Sequence, residues 1–345
     1  MGSNAHLLPR LRRATLTAAC MLMLATPAQP CAFHGYQPKA TLVQRLLEAD
    51  TIVLARPSAT NPFRFEIMQY LRGVQNVVPP PFLVDSTTRR LMRLTPRSQI
   101  LFARSAETGD WHRLATVDSE FDPLLQDILQ SLPKWRDNDP SRAIFFAKLL
   151  WHKSSRVREI ALRELDLATY ATLQSLELEV DPKRLRAGLD VLTEMDLRAI
   201  RILLLGFSAQ DPELSRFLQL RVTQSAKNDG DMLGAYALSL VELDGQGAVH
   251  WLAEVHLNNR AYTYNTRSAL VQAFAMHFQS GDVATRALIS ETLSALVLFD
   301  VDLAYIVTLQ FGALAPEASN EDIDEMGEDD TLAALRFLAL ETQSD

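Results

Sequence analysis

Between Ser141 and Leu165 two short apolar segments flank a polar turn, and that arrangement constrains the fold more than any other feature of the chain. Ala143-Ile144-Phe145-Phe146-Ala147-Lys148-Leu149-Leu150 comes first, His152-Lys153-Ser154-Ser155 follows, and Val157-Arg158-Glu159-Ile160-Ala161-Leu162-Arg163-Glu164-Leu165 closes the unit. In the last segment Val157, Ile160, Ala161, Glu164 and Leu165 recur at the spacing of one helix face. All but Glu164 are apolar, and Arg156, Glu159 and Arg163 are expected to face water. Ser154 or Ser155 stands where an N-cap accepts the first free amide hydrogens. The spacing predicts two antiparallel helices. Such a pair has apolar residues on more than one face and cannot bury them alone, and stacking further pairs is the physical remedy.

The chain beyond this unit also reads helical, and the first pair alone shows a recognisable repeat motif. Helical segments are expected over 141–151, 155–167, 170–178, 182–189, 197–207, 212–223, 232–243, 248–257, 266–278, 283–299 and 303–314. Gly206, Gly245, Gly247 and Gly281 fall between segments, and Asp181-Pro182 and Asp211-Pro212 place a capping acid before a proline in the first helical turn. Pairs spaced by roughly 30 to 45 residues predict a helical solenoid. Val157-Arg158 followed by Ala161 and Leu165, after a short turn, resembles the second helix of a HEAT repeat. Ser154-Ser155 stands where that family usually has an aspartate, so the resemblance does not extend to its ladder of acid-to-arginine contacts between repeats.

The stretch 29–133 reads differently. Residues 41–49 have helical spacing, and short extended segments follow: Thr51-Ile52-Val53-Leu54-Ala55, then Phe63-Arg64-Phe65-Glu66-Ile67, which alternates as a half-buried strand does and is bounded by Pro62. Pro79-Pro80-Pro81 cannot continue a ladder, so Phe82-Leu83-Val84 is expected to begin a new element at a sheet edge. Ile100-Leu101-Phe102-Ala103 and 112–117 flank Glu107-Thr108-Gly109-Asp110, a hairpin with its glycine in the turn. Antiparallel strands in a small domain follow. Ala49-Asp50-Thr51-Ile52-Val53-Leu54-Ala55 with Phe63-Arg64-Phe65 and Leu71-Arg72-Gly73 resembles the opening of a netrin-like module. The resemblance implies a five-stranded barrel of the oligonucleotide-binding-fold shape and, by analogy with tissue inhibitors of metalloproteases, an N-terminal cysteine that chelates a target's zinc. The several cysteines that staple that family are missing from this sequence. After a helix expected over 122–132, Pro133 and Asp137-Asn138-Asp139-Pro140 mark a boundary.

Arg10, Arg12 and Arg13 precede an uncharged run over 14–25 and then Thr26-Pro27-Ala28, the order of a secretory signal peptide over residues 1–28. Arg12-Arg13-Ala14-Thr15-Leu16 also resembles part of a twin-arginine export signal. The run is too short to span a bilayer, so no stable membrane insertion is expected. Removal of the leader takes Cys20 and three arginines but no acid, changing the net charge from −8 to about −11 and leaving Cys31 as the one thiol. A lone cysteine makes no internal disulfide, so the fold must stand on packing. Acidity argues against nucleic acid as a partner.

Candidates for chemistry are sparse. Cys31-Ala32-Phe33-His34 puts a thiolate and an imidazole three residues apart, half of a copper or zinc site. The remaining histidines show no zinc-hydrolase spacing. His250, Trp251, Tyr262, Tyr264 and Arg267 gather residue types enriched at binding hot spots, although aromatic residues at helical spacing more often form core. In the acidic stretch 317–330, Asp322, Asp324 and Gly327 match EF-hand loop positions, but Met326 and Ala333 occupy positions that require ligands, so a solvated loop is expected, followed by a terminal helix over 331–340. Neither a Gly-x-Ser-x-Gly elbow nor a phosphate-cradling glycine loop occurs, and no catalytic residue or cofactor is expected.

The expectation is an α+β, mostly α protein of 345 residues. A small β-rich domain, 29–133, precedes a HEAT-like α-solenoid, 134–345. The chain is expected to act in the periplasm or outside the cell as a non-catalytic scaffold for a protein partner whose identity the sequence does not give. A metal-handling protein using Cys31 and His34, and a netrin-like protease inhibitor, are the alternatives.

Overall fold

The computed structural model describes residues 40–75, 77–135, 139–313 and 330–340. The leader, Cys31, His34 and the acidic residues 321–329 lie outside them.

Helix α1 (Leu42–Leu47) begins in a capping box, with Thr41 and Gln44 satisfying each other's amide hydrogens. Four antiparallel strands follow, in the spatial order β2-β1-β3-β4: β1 (Ala49–Pro57), β2 (Phe65–Arg72), β3 (Gln99–Ser105) and β4 (Trp111–Val117). Val53 of β1 lies between Tyr70 of β2 and Phe102 of β3. The described strands thus form an open sheet with β2 and β4 at its edges, where the netrin resemblance implies a closed five-stranded barrel. The run Thr51 to Ala55 does not alternate because both faces are covered: Ile52, Leu54, Leu101 and Ala103 join the core shared with the helices, while Val53, Ala55, Ile100 and Phe102 pack with Phe65, Val84 and Met92.

The segment after the prolines departs from expectation. Leu83 makes a single bridge to Arg64, and the chain then enters helix α2 (Ser86–Leu94), capped by Asp85, whose carboxylate accepts from the Thr88 amide at 2.7 Å. This helix buries only Thr88 and Met92 and is otherwise mostly polar and basic, so it has too little apolar content to read as a core helix. It ends before Pro96, and Arg56 caps that end, donating to the Met92 and Ser98 carbonyls at 3.1 and 2.9 Å.

After α3 (Asp122–Ser131), Trp135 packs edge-on against Phe145 and links the sheet end to the helices. These are α4 (Ser141–Ala147), α5 (Ser155–Leu165), α6 (Tyr170–Gln174), α7 (Pro182–Ala187), a 3-10 turn (Leu192–Leu197), α8 (Arg198–Gly206), α9 (Pro212–Lys227), α10 (Leu233–Asp244), α11 (Gln246–Leu252) with a π turn (Ala253–Leu257), α12 (Tyr264–Ser280), α13 (Val283–Val297), α14 (Val301–Gly312) and α15 (Asp330–Leu340). One apolar core runs from Val43 in α1 to Leu338 in α15.

The α4–α5 pair carries most of the expected stripe: Val157, Ala161 and Leu165 are buried and Ile160 is half-buried, while Leu162, outside the expected stripe, is buried as well. Three details differ. Ser154 is the N-cap of α5, but its side chain accepts no amide hydrogen, and Arg158 instead secures the turn by donating to the His152 and Lys153 carbonyls at 2.7 and 2.9 Å. Glu164 sits inside the apolar stripe because it has partners there: it accepts from the Val43 amide at 3.1 Å and from Arg142 Nε at 3.0 Å, tying α1 and α4 to α5. Arg156 and Arg163 do not simply face water. Arg156 lies 4.1 Å over the Phe121 ring, and Arg163 pairs with Asp196 at 2.7 Å.

Beyond α7 the helices stack in order. α8 packs on α10, α10 on α12, α12 on α14 and α14 on α15, while α9 and α13 flank this row. The row is tight where α8 meets α10: a Cβ at Gly206 would stand 2.8 Å from the Ser239 carbonyl oxygen. α10 is buried along most of its length between α8, α9 and α12, and α12 is buried between α10 and α14 with α6 lying on it. There the Tyr170 hydroxyl reaches Glu242 of α10 and stands 2.9 Å from His277 Nδ1 of α12, and Gln174 donates to Glu242 at 2.9 Å. Burial acts to raise the Glu242 pKa, but the bonds from His277, Tyr170 and Gln174 outweigh it and hold the carboxyl below its ordinary value. This network braces three helices. The terminal helix α15 returns onto α13 and α14, as expected.

Candidate interaction surface

The N-terminal ends of the stacked helices share one edge of the molecule. Asp229, at the C-terminal end of α9, accepts from the hydroxyls of Thr263 and Thr266 at the start of α12. These bonds hold its carboxyl below the usual range. Arg267, one turn into α12, donates to Asp300, the N-cap of α14, at 2.7 Å. Burial pushes the Asp300 pKa up, but the Arg267 and Leu303 hydrogen bonds and the charges of Arg267 and Arg260 more than offset it and hold the carboxyl below its ordinary value. Asp196 precedes α8 as Asp300 precedes α14, and the Arg163–Asp196 and Arg267–Asp300 contacts both span 33 residues.

On this paired base stands an exposed apolar group. Phe299 is 79% exposed, and Leu298, Val301 and Tyr305 are exposed beside it. Tyr264 of α12, also exposed, has its ring 6.5 Å from that of Tyr305. Arg260 holds the corner, donating to the Phe299 carbonyl and standing 3.4 Å from Asp300. Further along the same edge, exposed Met195 lines a cleft of about 580 Å³ with Asp196, Arg198, Arg221 and Asn228 among others.

The five residues singled out in sequence separate in space. Tyr264 belongs to the exposed group and Arg267 lies beneath it, only 4% exposed and bound to Asp300. Trp251 and Tyr262 are half-buried and close on His256, with ring centroids 4.8 and 5.8 Å from its imidazole. His256 is fully buried, neither ring nitrogen has a hydrogen-bond partner among the described residues, and burial depresses its pKa. His250 is exposed on α11. Leu298, Phe299, Val301 and Tyr305 were not singled out. The available signal was Asp300 itself: an N-cap acid between Phe299 and Val301 puts both apolar neighbours at the start of a helix rather than along its length.

The edge presents aromatic rings and aliphatic tips over a carboxylate paired with two arginines. Among the described residues no group of three or more His, Cys, Asp or Glu side chains is placed to hold a metal ion. No helix among them is long and apolar enough to cross a membrane. No family model matches the chain, and no curated protein or solved structure matches it significantly.

Proposed function

We propose that this chain is a non-catalytic protein-binding scaffold of the periplasm or the cell exterior, a HEAT-like stack of helix pairs preceded by a small β-rich domain, and that its partner seats on the Phe299 edge. The observation that carries this reading is the exposure of Phe299, Val301, Tyr305 and Tyr264 over the Arg267–Asp300–Arg260 cluster. Large apolar side chains grouped in water cost solvation free energy that a partner recovers, and Tyr and Arg at such a group are the residue types that dominate binding energy. A rigid base adds to affinity because little side-chain freedom is lost on docking. The metal-handling alternative rests on Cys31 and His34, outside the described residues, and the inhibitor alternative rests on a barrel that the described strands do not form.

The test is co-purification of the mature, tagged chain from its native envelope. Phe299→Ser combined with Tyr305→Ala is expected to reduce a specific protein partner at least about tenfold while leaving the melting temperature unchanged. A partner retained at wild-type level by the double variant contradicts the assignment of this edge.

A further inference from the structure

The helical half is acidic, yet between residues 51 and 100 there are seven arginines, no lysine and two carboxylates, Glu66 and Asp85. Asp85 is already engaged, paired with Arg113 at 3.1 Å and capping α2. Four of the arginines, 89, 90, 93 and 97, lie on α2 or just past its end, and among the described residues none of the four pairs with a carboxylate. Because α2 turns only Thr88 and Met92 inward, Arg90, Arg93 and Leu94 point away from the sheet, with Leu91 on one flank. Leu94 is 72% exposed. On the other flank the Arg89 guanidinium lies 4.5 Å over the exposed ring of Phe63, and Leu83, also exposed, adjoins it through the Arg64–Leu83 bridge.

From this we infer that the α2 face is a peripheral docking surface for a bilayer of anionic phospholipid. Apolar tips stand among long arginines, the composition that settles at the boundary of headgroups and acyl chains, with aliphatic side chains inserted and guanidinium groups on phosphates. The face is the outer side of a helix and not a groove, so it suits a plane better than a folded ligand. The charge asymmetry favours this face: its arginines meet the anionic surface, which repels the acidic helical half. The two surfaces are distinct, and this inference does not depend on the partner proposed above.

The test is co-flotation of the mature full-length chain with vesicles of phosphatidylcholine alone or with about 30% phosphatidylglycerol, beside binding to poly-glutamate as an acidic polypeptide. The chain is expected to float with the anionic vesicles only, and less as salt rises. Arg90→Gln with Arg93→Gln should weaken binding by about 30-fold, about fivefold for each arginine. Leu94→Ser and Phe63→Ser, which keep the charge, should weaken it as well. All four positions are exposed or half-exposed on the surface, and unchanged melting curves exclude loss of fold. No flotation, equal flotation with neutral vesicles, insensitivity to the leucine and phenylalanine changes, or binding to poly-glutamate without binding to vesicles would each overturn the inference, the last in favour of an acidic protein.

Discussion

Glu164→Leu should cost the protein about 4 kcal/mol, although leucine fills the apolar stripe that the sequence of α5 leaves interrupted. The Glu164 side chain is fully buried and its carboxylate accepts from Val43 N and from Arg142, whose own side chain is 15% exposed and also donates to Thr41 at 3.2 Å. Removing the acid leaves a guanidinium without its counter-charge, a loss of about 3 to 5 kcal/mol for a buried pair, and leaves the Val43 amide without an acceptor, about 1 to 3 kcal/mol. The partial exposure of Arg142 lets it turn to water, which places the total near the lower end of those ranges. Arg142→Met alone should be comparably harmful, because it strands the carboxylate. The double variant Glu164→Leu, Arg142→Met removes both charges and should recover to within about 2 kcal/mol of wild type, the residue being the Val43 amide. Urea unfolding of the four proteins closes the cycle. Additive losses, with the double variant as unstable as the sum of the singles, would refute the claim that the pair is coupled across α1, α4 and α5.

Three further outcomes are expected. Ala161→Asp, at a fully buried position of α5, should unfold much of the helical half, whereas Arg163→Ala should cost only about 1 kcal/mol through the loss of its Asp196 and Glu159 pairs, and thermal melts distinguish the two. His256 has its pKa lowered by burial, so the unfolded chain binds the proton first and stability falls as pH drops below about 6.5; His256→Phe should flatten that limb of the Tm–pH profile. Asp300 has its pKa depressed, so its contribution is full above the unfolded carboxyl value and fades below about pH 4; Asp300→Asn should lose about 3 kcal/mol at pH 7 and weaken the acid dependence below pH 4.

The helical half was legible because its segments are amphipathic and punctuated: each expected segment from 155 onward overlaps an observed helix, and the capping acids Asp181 and Asp211 start α7 and α9. The hairpin of β3 and β4 was legible for the same kind of reason, with Gly109 at φ +73° in its turn. Three features were not. α2 escaped because a helix that buries two residues and is otherwise mostly polar and basic carries too little apolar content to stand out, although Asp85 and Thr88 stood at cap spacing. Glu164 looked like a flaw in a stripe, since its partners Val43 and Arg142 are 121 and 22 residues away. The surface was half legible: Tyr264 and Arg267 were recognised by residue type, but type cannot separate an exposed tyrosine from an arginine bound to a carboxylate 33 residues on. Trp251 and Tyr262 were drawn by the same rule to a core histidine.

Site-specific photo-crosslinking in the native envelope tests the scaffold reading most directly. A benzophenone side chain at Tyr305 or Phe299, both exposed at the proposed edge, is compared with one at Lys153, exposed at the turn before α5. Adducts of one discrete mass with a single protein from positions 305 and 299, absent from position 153, are the predicted result. Equal labelling at all three positions, or no adduct at the edge while position 153 captures a partner, would contradict it.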